Sequence, residues 1–355
     1  MTEQPHAVDS APPLRLSVIV PARNEARLLP GCLQSLLSQS ERGFELGQQW
    51  ELLVVDDDSA DGTGELARQT AAAYSGVSVL RAPVLDLSDR GGFTGKNNAC
   101  WEGAQHSRGA WLLFTDADTV HEPGNLSRAL HEAEKYKAAL LSYSPRQILT
   151  GFWQHALMPL VFSELASVYP PKQVSNPASP LAAANGQFLL IRRDVYFDLG
   201  GHRLVGKQVL EDVALARAVK RANHAIRFRY APEALSTRMY STVEEMIQGW
   251  TKNLALLFPR PIFLAAMRML QFLLFFLLPP IALGMAGLLF WQRAAILLVW
   301  LRACWGFYGR VARAHFPAAD TAVSILGVPI FAWLLIRSAA SKTVDWKGRR
   351  YSSRT

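Results

Sequence analysis

Nine residues constrain this chain more than any others: Ala110-Trp111-Leu112-Leu113-Phe114-Thr115-Asp116-Ala117-Asp118. A mostly apolar run leads straight into two carboxylates one residue apart. Short continuous apolar runs suit strands covered on both faces of a sheet. The carboxylates then fall at the C-terminal end of the strand, where open α/β sheets gather their ligands. In a continuing strand both would point to one side, and they would repel unless a cation lay beside them. Carboxylate oxygens are hard ligands suited to Mg²⁺ or Mn²⁺, which in turn can hold a diphosphate.

The residues before this stretch alternate in type. Apolar runs at 16–20, 51–55 and 77–81 read as strands, and leucines at 28, 29, 33, 36 and 37 recur at helical spacing. Helices are expected at 27–38, 64–74 and 96–106, and again from Pro123, which suits a first helical position, to about 136. Residues 83–95 read as a loop. Such alternation predicts an α/β fold with a mainly parallel, Rossmann-like sheet and flanking helices. No Gly-x-Gly-x-x-Gly follows the first strand and no Walker-type Gly-Lys-Ser/Thr loop exists, so dinucleotide and P-loop folds are unsupported.

Polar residues collect after the strands. Pro21-Ala22-Arg23-Asn24-Glu25 follows the first, and Asp56-Asp57-Asp58-Ser59-Ala60-Asp61-Gly62-Thr63 the second. Strand-end carboxylates can accept from a nucleobase or a ribose; some also serve turns and caps, Asp61 foremost. Gly95-Lys96 opens a helix, a place where phosphate can be met.

Four motifs in order, Val18-Ile19-Val20-Pro21-Ala22-Arg23-Asn24-Glu25, Val54-Val55-Asp56-Asp57-Asp58-Ser59, Gly95-Lys96-Asn97-Asn98-Ala99 and Thr115-Asp116-Ala117-Asp118, resemble the family 2 glycosyltransferases. These are inverting enzymes with a GT-A fold, and the resemblance covers roughly residues 16–255. The family's usual Asp-Asp-Gly-Ser is here Asp56-Asp57-Asp58-Ser59. The resemblance implies that Pro21, Ala22, Asn24, Glu25 and Asp57 line the nucleoside, with Asp56 close by. Lys96 would approach the nucleotide or the donor sugar. Asp116 and Asp118 would hold the nucleotide directly and through Mg²⁺ or Mn²⁺. The donor it favours is a UDP-sugar, and the metal would neutralise the diphosphate as the glycosidic bond breaks.

An inverting transfer needs one base for the acceptor hydroxyl. Glu211-Asp212 at a helix start resembles the family's base motif, with Asp212 as the base; the same position also suits an N-cap. Asn185 to Arg193 reads as a strand, followed by Gly200-Gly201-His202, where the family commonly has an aromatic at the last position. Residues 151–162 are aromatic and apolar, fitting either a packed core segment or an amphipathic piece at a membrane. In the helix expected at 243–257, Gln248-Gly249-Trp250-Thr251-Lys252 stands where lipid-acceptor members carry Gln-x-x-Arg-Trp. Trp250 suits stacking on acceptor or sugar, or plain packing, and Lys252 suits phosphate.

The tail is different in kind. Residues 259–355 carry 12 Lys and Arg against 2 Asp and Glu, leaving 25 against 27 for residues 1–258. The first part therefore lacks the charge for nucleic-acid binding. Apolar stretches at 263–290, interrupted by Pro279-Pro280, at 294–308 and at 321–336 sit among these basic residues. They predict membrane-associated helices facing anionic headgroups. The three cysteines have no metal-ligand spacing, and no N-terminal signal peptide is expected. The expected organisation is a disordered 1–13, a GT-A domain over 14–258, transmembrane or re-entrant helices over 259–340 and a basic interfacial tail over 341–355. Cytoplasmic sugar nucleotide, a lipid-like acceptor and the cell membrane follow as partners and place. Carotenoid- or hopanoid-type glycolipid transferases fit the length and tail; a polyprenyl-phosphate sugar synthase stays open.

Overall fold

The computed structural model describes residues 14–39, 41–85, 93–341, 343–346 and 349–352, the last two segments by backbone alone. The segment 1–13, part of the 83–95 loop and the side chains of the tail from 342 onward lie outside the described residues. In chain order the elements are β1 (Leu16–Ala22), α1 (Leu29–Leu37), β2 (Trp50–Asp56), α2 (Thr63–Ala73), β3 (Val77–Arg81), α3 (Gly95–His106), β4 (Trp111–Phe114), β5 (Thr119–His121), α4 (Asn125–Lys135), β6 (Leu140–Ser144) and β7 (Arg146–Gln147). Then come α5 (Phe152–Val168), α6 (Pro171–Val174), β8 (Leu189–Arg192), α7 (Arg193–Asp198), α8 (Gly201–Leu204), α9 (Glu211–Arg221), β9 (Ile226–Tyr230) and β10 (Leu235–Thr237). The rest is α10 (Val243–Leu257), α11 (Pro261–Gly284), α12 (Phe290–Val311), α13 (Ala318–Val323), α14 (Val328–Ala340) and a hairpin of β11 (Thr343–Trp346) and β12 (Arg349–Ser352).

These elements form two compact units, one of residues 1–146 and 174–237, the other of 147–173 and 238–355. In the first, a seven-stranded sheet runs β3-β2-β1-β4-β8-β6-β9. All neighbours are parallel except β8, which is antiparallel to both β4 and β6. The apolar runs are buried as their composition requires: in β1 only Pro21 is partly exposed, and in β2 only Asp56. Register aligns the ends that matter. Ala22 pairs with Asp56 and Ile19 with Phe114, so the loops after β1, β2 and β4 leave the sheet at one edge.

At the opposite edge a buried carboxylate locks the same strands. Glu51 accepts from Ser17 Oγ at 2.7 Å and from Arg108 at its backbone N (2.7 Å) and Nε (2.9 Å). The chain enters β4 through Gly109, where a Cβ would lie 2.4 Å from Ser17 N and 2.5 Å from the Leu16 carbonyl carbon. Backbone cannot yield there as a side-chain tip can.

Asp58 stands where the resemblance expects Gly, and its φ is 59°, in the left-handed region. The turn shape is thus kept by a residue that adopts it at a cost. Its carboxylate meets Arg81 at 3.0 Å, an exposed pair of small worth.

The second unit is helical. Its core joins Leu157, Leu160 and Val161 of α5, Met246, Trp250 and Leu254 of α10, Phe307 of α12 and Phe331, Leu334 and Leu335 of α14. Packing therefore does not divide at the expected residue 258. α5 and α10 join the C-terminal helices because both bury apolar faces among them. Among the described residues, three helical stretches are long and apolar enough to cross a membrane: Pro261–Gly284, Phe290–Ala314 and Ala318–Ala340. The first two bury 6% and 11% of their most apolar window, the third 50%. Contrary to the expected break, α11 continues through Pro279-Pro280 to Gly284. Pro279 cannot donate to the carbonyl of Phe275, but Trp300 Nε1 does so at 2.9 Å, which satisfies the freed acceptor.

Two substitutions test this account by thermal or urea melting of the purified chain. Gly109→Ala is expected to lose about 1–3 kcal/mol, the usual cost of forcing atoms into a filled site. Asp58→Gly is expected to gain about 0.5–1 kcal/mol by relieving a left-handed non-glycine residue.

Candidate active site

The first two loops at the strand ends are laced together. Arg23 Nη1 donates to the carbonyls of Asp57 and, at 3.0 Å, Asp58. Asn24, at φ 52°, accepts from Ala60 N at 2.9 Å, and its own N donates to Ser59 Oγ at 3.1 Å. Glu25 N donates to Thr63 Oγ1 (2.8 Å) and Ala26 N to Asp61 Oδ2 (3.0 Å). Asp61 also accepts from Thr63 N at 3.1 Å, the Asx-turn bond its place suggested. Burial raises the Asp61 carboxyl, but bonds from Thr63 and Ala26 outweigh this and hold it below the usual range. Asp56 Oδ1 accepts from Ser59 N at 3.1 Å and so braces the turn. Asp57 is buried, its N bonded to Ala22 O at 2.9 Å.

The third loop does not continue as a strand. β4 ends at Phe114, and Ala117 and Asp118 form a turn before β5. The expectation that both carboxylates point one way along a strand therefore fails. Hydrogen bonding decides the turn: Thr119 donates through N (3.2 Å) and Oγ1 (2.7 Å) to Asp116 O.

Asp116 joins a charged cluster. Thr94 caps α3, its Oγ1 accepting from Asn97 N at 3.3 Å, and Asn97 Nδ2 donates to the carbonyls of Val205, Gly206 and Gln208. So anchored, α3 sets Lys96 Nζ 2.8 Å from Asp116 Oδ1 and 2.9 Å from Glu211 Oε1. Burial pulls the ammonium down, yet Asp116 and Glu211 together raise it well above its ordinary value, so it stays charged. Asp212, the next residue, takes Gly186 N at 2.8 Å and Val213 N at 2.7 Å. Burial first, then the neighbouring Glu211, push its carboxyl up to about 7. Gly186 lies against this ammonium: a Cβ there would be 2.8 Å from Lys96 Nζ and would push it aside. Pro21, Lys96, Thr115, Asp116, Gly186, His202, Glu211 and Asp212 line one cavity. His202 is no exposed ligand: it is buried, shares a 2.8 Å hydrogen bond with Tyr196 Oη and packs edge-on to Phe114, and burial pushes its ring down to about 4.

Pro21, Lys96, Asp116 and Asp212 thus meet, and Glu211 joins them as the second anchor of Lys96. Sequence reading passed over Glu211, although the adjacent pair Glu211-Asp212 was its signal. Asp118 is half-buried and does not line the cavity; its carbonyl accepts from Thr237 Oγ1 at 3.4 Å. Trp250 belongs to the second unit, where it is 2% exposed and its Nε1 faces Met158 Sδ at 3.3 Å. A stacking platform needs an open face, so Trp250 is a packing residue and not an acceptor platform. Lys252 is half-buried on the same helix.

Among the described residues no three His, Cys, Asp or Glu side chains are grouped to hold a metal. The donor set of Asp116 and Asp118 nevertheless suits Mg²⁺ or Mn²⁺. Such ions are commonly held by one or two carboxylates together with substrate phosphates, without an all-protein cage.

Comparison with known proteins agrees with this architecture. The description "Glycosyl transferase family 2" matches residues 17–200. The 4,4'-diaponeurosporenoate glycosyltransferase of Staphylococcus haemolyticus (strain JCSC1435) is 30% identical over 251 residues, covering 68% of this chain and 61% of the relative. Its counterpart in Staphylococcus aureus (strain USA300) is 25% identical over 248 residues, 68% of this chain and 60% of that one. The chain therefore spans about 60% of the length of these curated relatives. Among solved structures, a mannosyltransferase from Pyrobaculum calidifontis in complex with GDP-Man and Mn²⁺ superposes with a TM-score of 0.53. That match covers 93% of this chain and 88% of the other at 19% identity, a likeness of fold. With the GT-A architecture and a match over half its length, the chain belongs to glycosyl transferase family 2.

Proposed function

We propose that this chain is a membrane-associated inverting glycosyltransferase, moving one sugar from a nucleoside-diphosphate donor to a hydroxyl of a lipid-like acceptor. The observation that carries the reading is the cluster of Lys96, Asp116, Glu211 and Asp212 beside the C-terminal ends of β1 and β4. Family membership supports the donor class, and the relatives named for diaponeurosporenoate favour a carotenoid-type acceptor. The apolar helices support a site at a membrane.

In this reading the loops at 21–25 and 56–57 receive the nucleoside, Pro21, Ala22, Asn24, Glu25 and Asp57 being nearest and Asp56 bracing them. Lys96 meets the donor's phosphates or sugar, with Glu211 retaining the ammonium when Asp116 turns to the donor. Asp116 and Asp118 would hold Mg²⁺ or Mn²⁺ jointly with the diphosphate, and the charge neutralisation such an ion supplies favours the leaving group. Asp212 takes the proton of the acceptor hydroxyl as the sugar is attacked from the opposite face. A carboxyl pushed up by burial and by Glu211 is a stronger base, once ionised, than an ordinary Asp. Lys252, a half-buried cation on α10, suits an acceptor phosphate. The third apolar stretch, half buried within its unit, suits a packed or re-entrant segment, so that two spans leave both ends on the cytoplasmic side.

Membranes holding the chain, incubated with labelled UDP- and GDP-sugars and extracted with organic solvent, test this directly. Label is expected in the lipid phase, abolished by EDTA and restored by Mg²⁺ or Mn²⁺. Donor binding without product for any sugar would instead mark a nucleotide-binding scaffold. Asp212→Asn is expected to lower turnover about 10²–10⁴-fold, the usual contribution of a general base. Because the base works ionised, the wild-type rate should climb with pH and level off above about 7. A rate independent of pH from about 5 to about 8, the range over which such a group titrates, would remove Asp212 from that role.

A further inference from the structure

The second unit carries arginines where its surface is otherwise apolar. Glu164 on α5 is 3% exposed and accepts from Arg268 of α11 through Nε at 2.7 Å and Nη2 at 3.0 Å. The same carboxylate takes Arg310 Nη1 of α12 at 3.3 Å. Gln271 Oε1 accepts from both guanidinium groups, at 3.2 and 3.4 Å. One carboxylate thus serves two cations. Arg310 Nη2 also points at Gly306 O, 3.4 Å away. Arg302, exposed one turn earlier, reaches the same place: its Nη1 lies 3.4 Å from where a Cβ on Gly306 would be. Arg313, also exposed, is close enough to act electrostatically on Arg310.

Arg268 and Arg310 share Glu164, while Arg302 and Arg313 have no ion pair among the described residues, so one carboxylate stands against four cations, a surplus of three positive charges on this part of the unit. Like charges crowded beside apolar surface repel more strongly than in water, and ionisable groups in such helices mark binding places. The neighbouring surface of α12 is apolar and open: Leu298 is 65% exposed, Leu301 54% and Trp305 79%. We propose that Gly306, flanked by Arg302 and Arg310 with Arg313 adding charge next to Arg310, seats the phosphate headgroup of an anionic membrane lipid, whose chains lie along Leu298, Leu301 and Trp305. Guanidinium groups match phosphate oxygens two at a time, and at Gly306 no side chain stands between the Arg302 and Arg310 groups. Arg268 and Glu164 brace Arg310. This inference concerns the second unit alone and does not depend on the donor or the acceptor.

The test uses the full chain in phosphatidylcholine bilayers containing trace spin-labelled phosphatidylglycerol or phosphatidylcholine, reading the immobilised fraction of each probe. Wild-type chain is expected to prefer phosphatidylglycerol by about thirtyfold, the sum for two basic residues at a charged surface. The double variant Arg302→Gln, Arg313→Gln breaks no ion pair among the described residues, so its melting temperature should match wild type while its preference falls towards unity. An unchanged preference in that variant, or none in the wild type, overturns the proposal. So does stabilisation of the lipid-free chain in detergent by inorganic phosphate equal to that by phosphatidylglycerol, which would make this a free-anion site.

Discussion

The charge of Lys96 is what lets the acidic end of the sheet exist. Asp116, Glu211 and Asp212 converge on one cavity, and two of them sit within 3 Å of a single ammonium. Opposite charges at such distances attract by about 4 kcal/mol at the effective dielectric of a protein surface, and like charges repel by as much. Without the ammonium, at least one of these carboxyls would hold a proton. With it, Asp116 and Glu211 each have a cation within 3 Å, while the Asp212 carboxyl is pushed up by burial first and by the adjacent Glu211 second. The arrangement that stabilises the cluster thereby makes one member basic.

That ammonium is in place because the backbone around it is fixed. Asn97 ties α3 to the 205–208 loop, Gly186 clears the space, and the shared register of β1, β2 and β4 brings their loops to one edge. The loop carboxylates divide the labour. Asp56 and Asp61 are spent on backbone N–H groups and shape the turns, while Asp116 and Asp212 line the cavity. The second unit solves a different problem with similar means: a Trp side chain replaces the donor that Pro279 lacks, and Glu164 holds two guanidinium groups.

Local information made much of this legible. The strands at 16–22, 50–56 and 111–114 announced themselves as apolar runs because each is largely buried on both faces, and the edge strand at 77–81 is apolar where it packs against β2. Asp61 in an Asx-turn, Asp212 at a helix start and the motif loops at strand ends all depend on neighbours within a few residues. Asp58 holding a glycine's conformation shows that the turn was specified by more than one residue type.

What local reading missed depends on partners far along the chain. Glu211 gained its place through Lys96, 115 positions earlier, and Trp250 lost its expected role to Met158, 92 positions away. Pro279 breaks nothing because Trp300 lies beside it, and α5 and α10 left the expected first domain because their apolar faces matched the C-terminal helices. Composition and periodicity thus determined the elements, their order and the chemistry in their loops, since those are set by burial and short-range hydrogen bonding. Tertiary structure alone decided which charges pair and which aromatics are covered, because those contacts exist only once distant segments have been packed together.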